Sequence, residues 1–552
     1  MSDISGQDSL PFLTVTRKKS RLPDFVTDLW QDPGAFQILI AASLALFAVG
    51  LDPKVLSSGM PDAQAALRER PQLESVFLLT AIVSAAFLLV GGVLGDLVGR
   101  KRILLIGLVG LALSELAAIV FPSGLPLLAI RVAASAFGGI ILPVALALVA
   151  LAYHGVTRAT ALGIAYAALG ASTALAPALL LAVTPTVGRW PSFLLAGLAL
   201  ALAAALVVRR VPFSPPSGLR LRQIAPHAIW AFGLLSLTGG LIGFRSNSES
   251  VIRIGLIVGG IALVVIFLLR QRRRPGVPDD VAIDVRPATV AIVAGVVLAI
   301  AQTAPMLEIP LFFQISQQYS SLLATVALTP FIVALIVSGP VAGALLARYS
   351  PRVLICGGLA VVGAGNLVLA QANPSSPYYF FILPFFLVGA GFVVGTSVRT
   401  AVIFASTPSR LPATAAALNQ ASLAVGGQAG VAGVTAIVGA VAVTSFAATQ
   451  AGSDPAAVAQ FQNFLLAIGT AQFGEIVGQL DPSATALYGH AFSVGVGYAM
   501  SFAGIAAIVG AAIVWFAMPH SQPVDSIWDT RDERRVATPP PATEGEPGLA
   551  EV

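Results

Sequence analysis

The chain has 552 residues, of which 57% are hydrophobic and 10% charged, with a formal net charge of +5. A soluble chain carries about a quarter charged residues, so this composition excludes an ordinary soluble domain. The single cysteine, Cys356, excludes an internal disulfide and a cysteine metal cluster. Lys and Arg sit in short segments between apolar runs, which excludes a basic face for nucleic acid.

Residues 1–33 are polar and predict a cytoplasmic tail rather than a secretory signal. Beyond them, apolar runs of the ~20 residues needed to cross a ~30 Å hydrocarbon core predict fourteen transmembrane helices. They fall near 34–52, 74–94, 103–121, 125–152, 160–183, 191–208, 226–244, 252–269, 287–312, 321–346, 353–371, 379–405, 413–445 and 491–518. Between the last two, residues 446–490 form the one long outer loop, and Phe461, Phe464, Leu465, Ile468 and Phe473 predict a short interfacial helix in it. Residues 519–552, with Pro539–Pro541 and acidic side chains, predict a disordered cytoplasmic tail.

The basic residues orient these spans. With the N-terminus inside, 23 of the 31 Lys and Arg residues fall on the inner side, 6 on the outer, and Arg131 and Arg399 within spans. The positive-inside rule then places the chain in the cytoplasmic (inner) membrane, multi-pass, with both termini cytoplasmic.

A decayed repeat divides the chain. Residues 92–101 read GVLGDLVGRK, and residues 343–352 read GALLARYSPR in the same register, each on the inner side between a second and a third span. This predicts an N-terminal six-helix bundle over 34–208, two linker spans with basic inner loops over 209–286, and a C-terminal six-helix bundle over 287–518. Parallel six-span repeats enclose a substrate site at the membrane midplane.

Several motifs resemble a known family. The run from Gly91 to Arg102 closely resembles the inner-loop signature of the major facilitator superfamily. The end of the first span, LDPKVLSSGMP from Leu51 to Pro61, resembles the first-span motif of its 14-span drug:proton antiporter branch, with Lys54 and Ser57 departing from the pattern. Arg131 and Pro143 resemble the buried-arginine motif of the fourth span. Pro177 stands in the fifth-span antiporter signature, whose neighbouring glycines are absent, and Glu308 to Gln314 resembles the matching span of the second bundle.

The resemblance implies an all-α membrane protein of major facilitator fold. It would export an amphipathic or lipophilic drug-like solute in exchange for protons, as a monomer among membrane lipids. It assigns a conformational gate to Gly92, Asp96, Gly99, Arg100 and Arg102. Asp96 can accept hydrogen bonds from a neighbouring helix N-terminus or an arginine, and release them when the bundles move. An intramembrane arginine needs a partner, and Asp52 and Glu115 lie at similar depth to Arg131, so Asp52, Arg131 and Glu115 are candidates for proton coupling. Glu308 is a further candidate. Pro177, Gln314 and Arg399 are assigned to the substrate path, where Arg399 either snorkels to the cytoplasm or binds an anionic substrate group.

The four histidines are scattered and no phosphate-cradling loop is present, so no metal, cofactor or ATP is expected, and no nucleophile–base pair suggests an enzyme. A lipid flippase or importer of the same fold, or a non-transporting scaffold or sensor, are the alternative readings.

Overall fold

The structure is a computed structural model. It describes residues 29–30, 32–69, 74–121, 124–153, 157–172, 190–213, 254–263, 285–407, 411–449, 454–467 and 482–519, with 233, 236, 240 and 266 as single positions. Thirteen helices are delimited: α1 (Pro33–Glu69), α2 (Glu74–Val98), α3 (Arg100–Val120), α4 (Gly124–Ala152), α5 (Trp190–Arg210), α6 (Val285–Ile315), α7 (Ser321–Val326), α8 (Thr329–Leu346), α9 (Pro351–Leu369), α10 (Tyr379–Ser406), α11 (Pro412–Ala447), α12 (Pro455–Ala467) and α13 (Pro482–Ala517). Residues 157–172 are also helical. Among the described residues there is no strand.

Among the described residues, ten helices are long and apolar enough to cross a membrane, and Val83–Val98 and Ile254–Leu263 are shorter apolar helices at the places expected for spans two and eight. The expected span at 226–244 lies almost wholly outside the described residues. Helix α3 shows why these segments suit lipid. Ile106, Val109, Leu113, Leu116 and Val120 make an exposed apolar stripe, while Leu104, Leu108, Leu111, Glu115 and Ala118 on the other face are buried. A helix whose outer face is apolar and whose one acid points inward is ordered for hydrocarbon, the reverse of a soluble helix.

Helices α1 to α5 pack on one another, as do α6, α8, α9, α10, α11 and α13, and α11 crosses between the sets to touch α2 and α4. Local sequence sets the ends. Asp32 caps α1 by accepting from the N–H groups of Gly34 (2.8 Å) and Ala35 (3.2 Å). Ser320 and Ser350 cap α7 and α9 in the same manner. One proline inside a span is compensated: Pro305 cannot bond the carbonyl of Ala301, and Asn366 Nδ2 donates to that oxygen instead, at 3.0 Å.

Some sequence expectations gain detail and some change. The first span lies at Pro33–Leu51, as expected, and its helix runs on to Glu69. The expected span 321–346 is present as Leu323–Leu346, with a turn between α7 and α8 where Pro330 lacks the N–H that would bond Val326. The last span begins at Pro482, nine residues early. The loop helix α12 is present, but Phe461 and Phe464 are buried instead of lying in the interface. Their rings stack on each other and on Phe446 of α11 and Tyr488 of α13, at centroid distances of 4.7 to 6.1 Å. Ring pairs of this kind contribute about 0.5–1.5 kcal/mol beyond the area they bury.

Candidate functional site: the interface between the helix bundles

The motif at the start of α3 builds the first part of the site. Gly99 separates α2 from α3 with a φ of 114°, a left-handed conformation that a side chain would strain. Gly92 lies so close to α11 that an added Cβ would stand 2.6 Å from the carbonyl oxygen of Ala413. Close approach delivers Asp96 to the N-terminus of α11. Its carboxylate accepts from the N–H of Ala413 (3.1 Å), the N–H of Thr414 (2.8 Å) and the Thr414 hydroxyl (2.8 Å). Arg100 pairs with the same carboxylate at 3.2 Å. Asp96 is 1% exposed. A carboxylate at a helix N-terminus meets both the free N–H groups and the positive end of the helix dipole.

The basic neighbours brace this junction. Lys101 Nζ donates to the carbonyls of Val208 (2.9 Å) and Val211 (2.6 Å) at the end of α5, and Arg102 lies over the ring of Phe213 at 5.1 Å. At the repeat in the second bundle, Ala347 replaces Asp96 and Ser350 caps α9, so among the described residues a carboxylate at this position exists on one side only. Nearby, Tyr153 donates to the carbonyl of Leu29 at 3.4 Å; burial, then the Asp32 carboxylate, holds its hydroxyl above its usual range, so it remains a neutral donor.

Deeper in the protein, a polar cluster joins the bundles. Asn419 Nδ2 on α11 donates to the Tyr166 hydroxyl at 2.6 Å, and that hydroxyl donates to Gln420 Oε1 at 3.0 Å. The Thr400 hydroxyl on α10 lies 3.2 Å from Asn419 Oδ1 and 3.3 Å from the Tyr166 oxygen. Arg399, beside it, is fully buried (0% exposed). Its Nη1 donates to Ser422 Oγ at 3.2 Å, while Nε and Nη2 have no hydrogen-bond partner. The snorkelling alternative for Arg399 is therefore corrected: the guanidinium points into the protein, against Gly295 of α6, where the absence of a side chain leaves it room. The sequence reading missed Tyr166, Thr400, Asn419, Gln420 and Ser422. The signal was there, since amide and hydroxyl side chains inside an apolar span carry a desolvation penalty that calls for a role.

Arg131 and Glu115 meet within the first bundle: Nη1 donates to Oε1 at 3.0 Å, with both side chains at most 3% exposed. Among the described side chains, Glu115 is a carboxylate in contact with Arg131. Asp52 lies on α1, but its side chain is outside the described residues, as is Pro177 altogether. Glu308 is buried on α6, flanked by Pro305 and Pro310. Gln314 donates within its own helix to the Pro310 carbonyl at 3.1 Å. Asp96, Gly92, Gly99 and Arg100 thus come together at one end of the interface. Arg399 sits between the bundles, Arg131 with Glu115 in the first bundle, and Glu308 and Gln314 in the second.

A family model for the Major Facilitator Superfamily matches residues 42–431. The chain belongs to the major facilitator superfamily. It is a membrane transporter with homologues named for drug resistance and export. It is 25% identical over 500 residues to the tetracenomycin C resistance and export protein of Streptomyces glaucescens, covering 87% of this chain and 90% of that one. It is 29% identical over 415 residues to the puromycin resistance protein pur8 of Streptomyces alboniger, covering 73% and 81%. Among solved structures, the proton:xylose symporter XylE superposes with a TM-score of 0.55 at 14% identity, covering 91% of this chain and all of that one, a likeness that shows the fold.

Proposed function

We propose that this transporter exports an amphipathic, drug-like small molecule in exchange for protons, by alternating access between its two bundles. The observation that carries the reading is the placement of charge. One buried acid, Glu115, is paired with a buried arginine, and another, Asp96, holds the bundles together at one end. An arginine that contacts a carboxylate stabilises its ionised form, and loss of that contact favours protonation. Rearrangement of α3 against α4 would therefore couple proton uptake to conformation, with Asp52 and Glu308 as further proton sites.

The export direction and the drug-like cargo draw support from the relatives, two of which are named for resistance to tetracenomycin C and puromycin. We assign the Asp96 end to the cytoplasm of a bacterial-type inner membrane, with both termini on that side, and read the protein as a monomer surrounded by lipid. The six-helix bundles at 34–208 and 287–518, separated by two linker spans over 209–286, supply the two rocking bodies. In this state the gate formed by Gly92, Asp96, Gly99, Arg100 and Arg102 is closed at the cytoplasmic end. Pro177, Gln314 and Arg399 belong to the path that opens on the other side.

The test uses proteoliposomes loaded with an acidic interior and a pH-sensitive dye. Adding an amphipathic solute without a basic amine, such as a hydroxyanthraquinone dye, to wild-type protein should discharge the gradient faster than in protein-free liposomes, and Glu115→Gln should abolish that difference while the protein stays folded. Uptake of the same solute at equal rate with and without a pH gradient would overturn the coupling.

A further inference from the structure

Arg399 is the one arginine in the described residues that is fully buried and whose contacts include no carboxylate. Its only hydrogen bond is to a neutral serine hydroxyl, and two of its three guanidinium nitrogens are left without a partner. Guanidinium is charged under all ordinary conditions and presents a fork of donors that fits a carboxylate or phenolate. A buried charge of this kind is retained against a steep desolvation penalty only when a counter-charge arrives at some stage of the cycle.

Position decides what that counter-charge is. Arg399 lies seven residues from the Ser406 end of α10, roughly 10 Å along the helix axis. That depth is close to the cluster of Tyr166, Asn419 and Gln420, which spans the two bundles. When the bundles part at the Asp96 end, Tyr166 leaves with the first bundle. Asn419 and Gln420 then lose their shared partner and turn from interface groups into cavity-lining groups. The opened wall presents a guanidinium fork, an amide donor, an amide acceptor and the Ser422 hydroxyl together.

We propose that Arg399, with Asn419, Gln420 and Ser422, forms an occluded receptor for an anionic group on the substrate, so that the cargo is an amphipathic acid rather than a lipophilic cation. This inference rests on the transporter reading above and narrows its substrate class. It also sets the electrical character of the exchange. Export of a monovalent anion against one entering proton moves two charges in the same sense and responds to membrane voltage. Export of a monovalent cation against one proton moves none.

Three probes sharing one hydrophobic body separate the possibilities: 4-(1-pyrenyl)butyrate, the neutral 1-pyrenebutanol and (4-(1-pyrenyl)butyl)trimethylammonium. Equilibrium binding is measured on full-length protein in nanodiscs, with empty nanodiscs subtracted. Wild type should bind the carboxylate at least tenfold more tightly than the ammonium compound. Arg399→Met should bring the two within twofold of each other, and Arg399→Lys should keep part of the preference. Equal or tighter binding of the ammonium compound by wild type overturns the proposal, whether or not Arg399→Met folds. A charge preference that survives Arg399→Met overturns the assignment to this residue. Movement of the neutral alcohol in proteoliposomes tests the transporter reading separately. Saturable movement of the alcohol with no anion preference sinks the anion receptor alone, whereas no protein-dependent movement of any of the three sinks the transport of such solutes and the receptor with it.

Discussion

The carboxylate of Asp96 and the first turn of α11 at Thr414 are joined by two hydrogen bonds of 2.8 Å, one from the backbone N–H and one from the hydroxyl. Each links helices from different bundles, so their loss is felt in the balance between conformations. Hydrogen bonds to a charged group are worth about 1.5–3 kcal/mol each. Asp96→Asn should therefore shift the protein at least tenfold toward the state open at that end, without unfolding it. Thr414→Val, which removes only the hydroxyl contact, should shift it less. Spin-label distances between α2 and α11, measured in a Cys356→Ser background, read this directly; unchanged distance distributions in Asp96→Asn would dismiss the latch.

The pair of Arg131 and Glu115 predicts a pattern of stability. Arg131→Met strands a buried carboxylate and should destabilise the protein by about 3–5 kcal/mol, while replacing both partners with apolar residues of similar size should recover most of that loss. Thermal unfolding of Arg131→Met, Glu115→Leu and the double variant in detergent gives the comparison. Additive losses in the double variant would mean that the two side chains do not depend on one another. Transport in the recovered double variant should stay absent, which separates coupling from folding.

Gly163 and Gly339 meet backbone to backbone across the bundle interface: a Cβ built on Gly339 would stand 2.7 Å from the Gly163 carbonyl oxygen. Gly339→Leu should hold the helices apart at this level and trap the protein open at the Asp96 end, with loss of transport at normal expression. Turnover of Gly339→Leu at the wild-type rate would show that this contact is not part of the cycle.

The proposed orientation of the chain rests on its basic residues and can be tested on cells. Ser217→Cys and Ser453→Cys, each in the Cys356→Ser background, should react from opposite sides of the membrane. Labelling of both by an impermeant maleimide on intact cells would contradict the arrangement of spans.

Much of this architecture was legible because hydrocarbon imposes a plain code. Runs of twenty apolar residues and charges confined to their ends mark spans directly, and the Gly92 to Arg102 motif marked the junction where the structure places a positive φ at Gly99 and a latch at Asp96. What the sequence hid are contacts made between distant segments. Nothing local says that Tyr166 will lie against Asn419, 253 residues away. Nor does composition distinguish an arginine that snorkels from one that is enclosed. The choice at Arg399 turns on Gly295 of another helix, whose missing side chain leaves the space. The contact of Glu115 with Arg131 likewise depends on which face of α3 turns inward. The helix in the loop between α11 and α13 was visible from its aromatic spacing, but its partners, Phe446 and Tyr488, lie on the two helices that flank the loop.

The latch at Asp96 also has a history within each newly made molecule. Its partner Thr414 lies 318 residues further along the chain. At the usual pace of synthesis, 5–20 residues per second, that segment takes roughly 15–60 s to emerge. For that interval α2 is in the membrane and α11 does not yet exist. Arg100, only four residues away, is available as soon as the turn at Gly99 forms, and its ion pair with Asp96 gives the carboxylate a companion until the distant helix arrives. The same arginine that pairs with Asp96 in the finished protein thus keeps the half-built one from carrying a bare acid there.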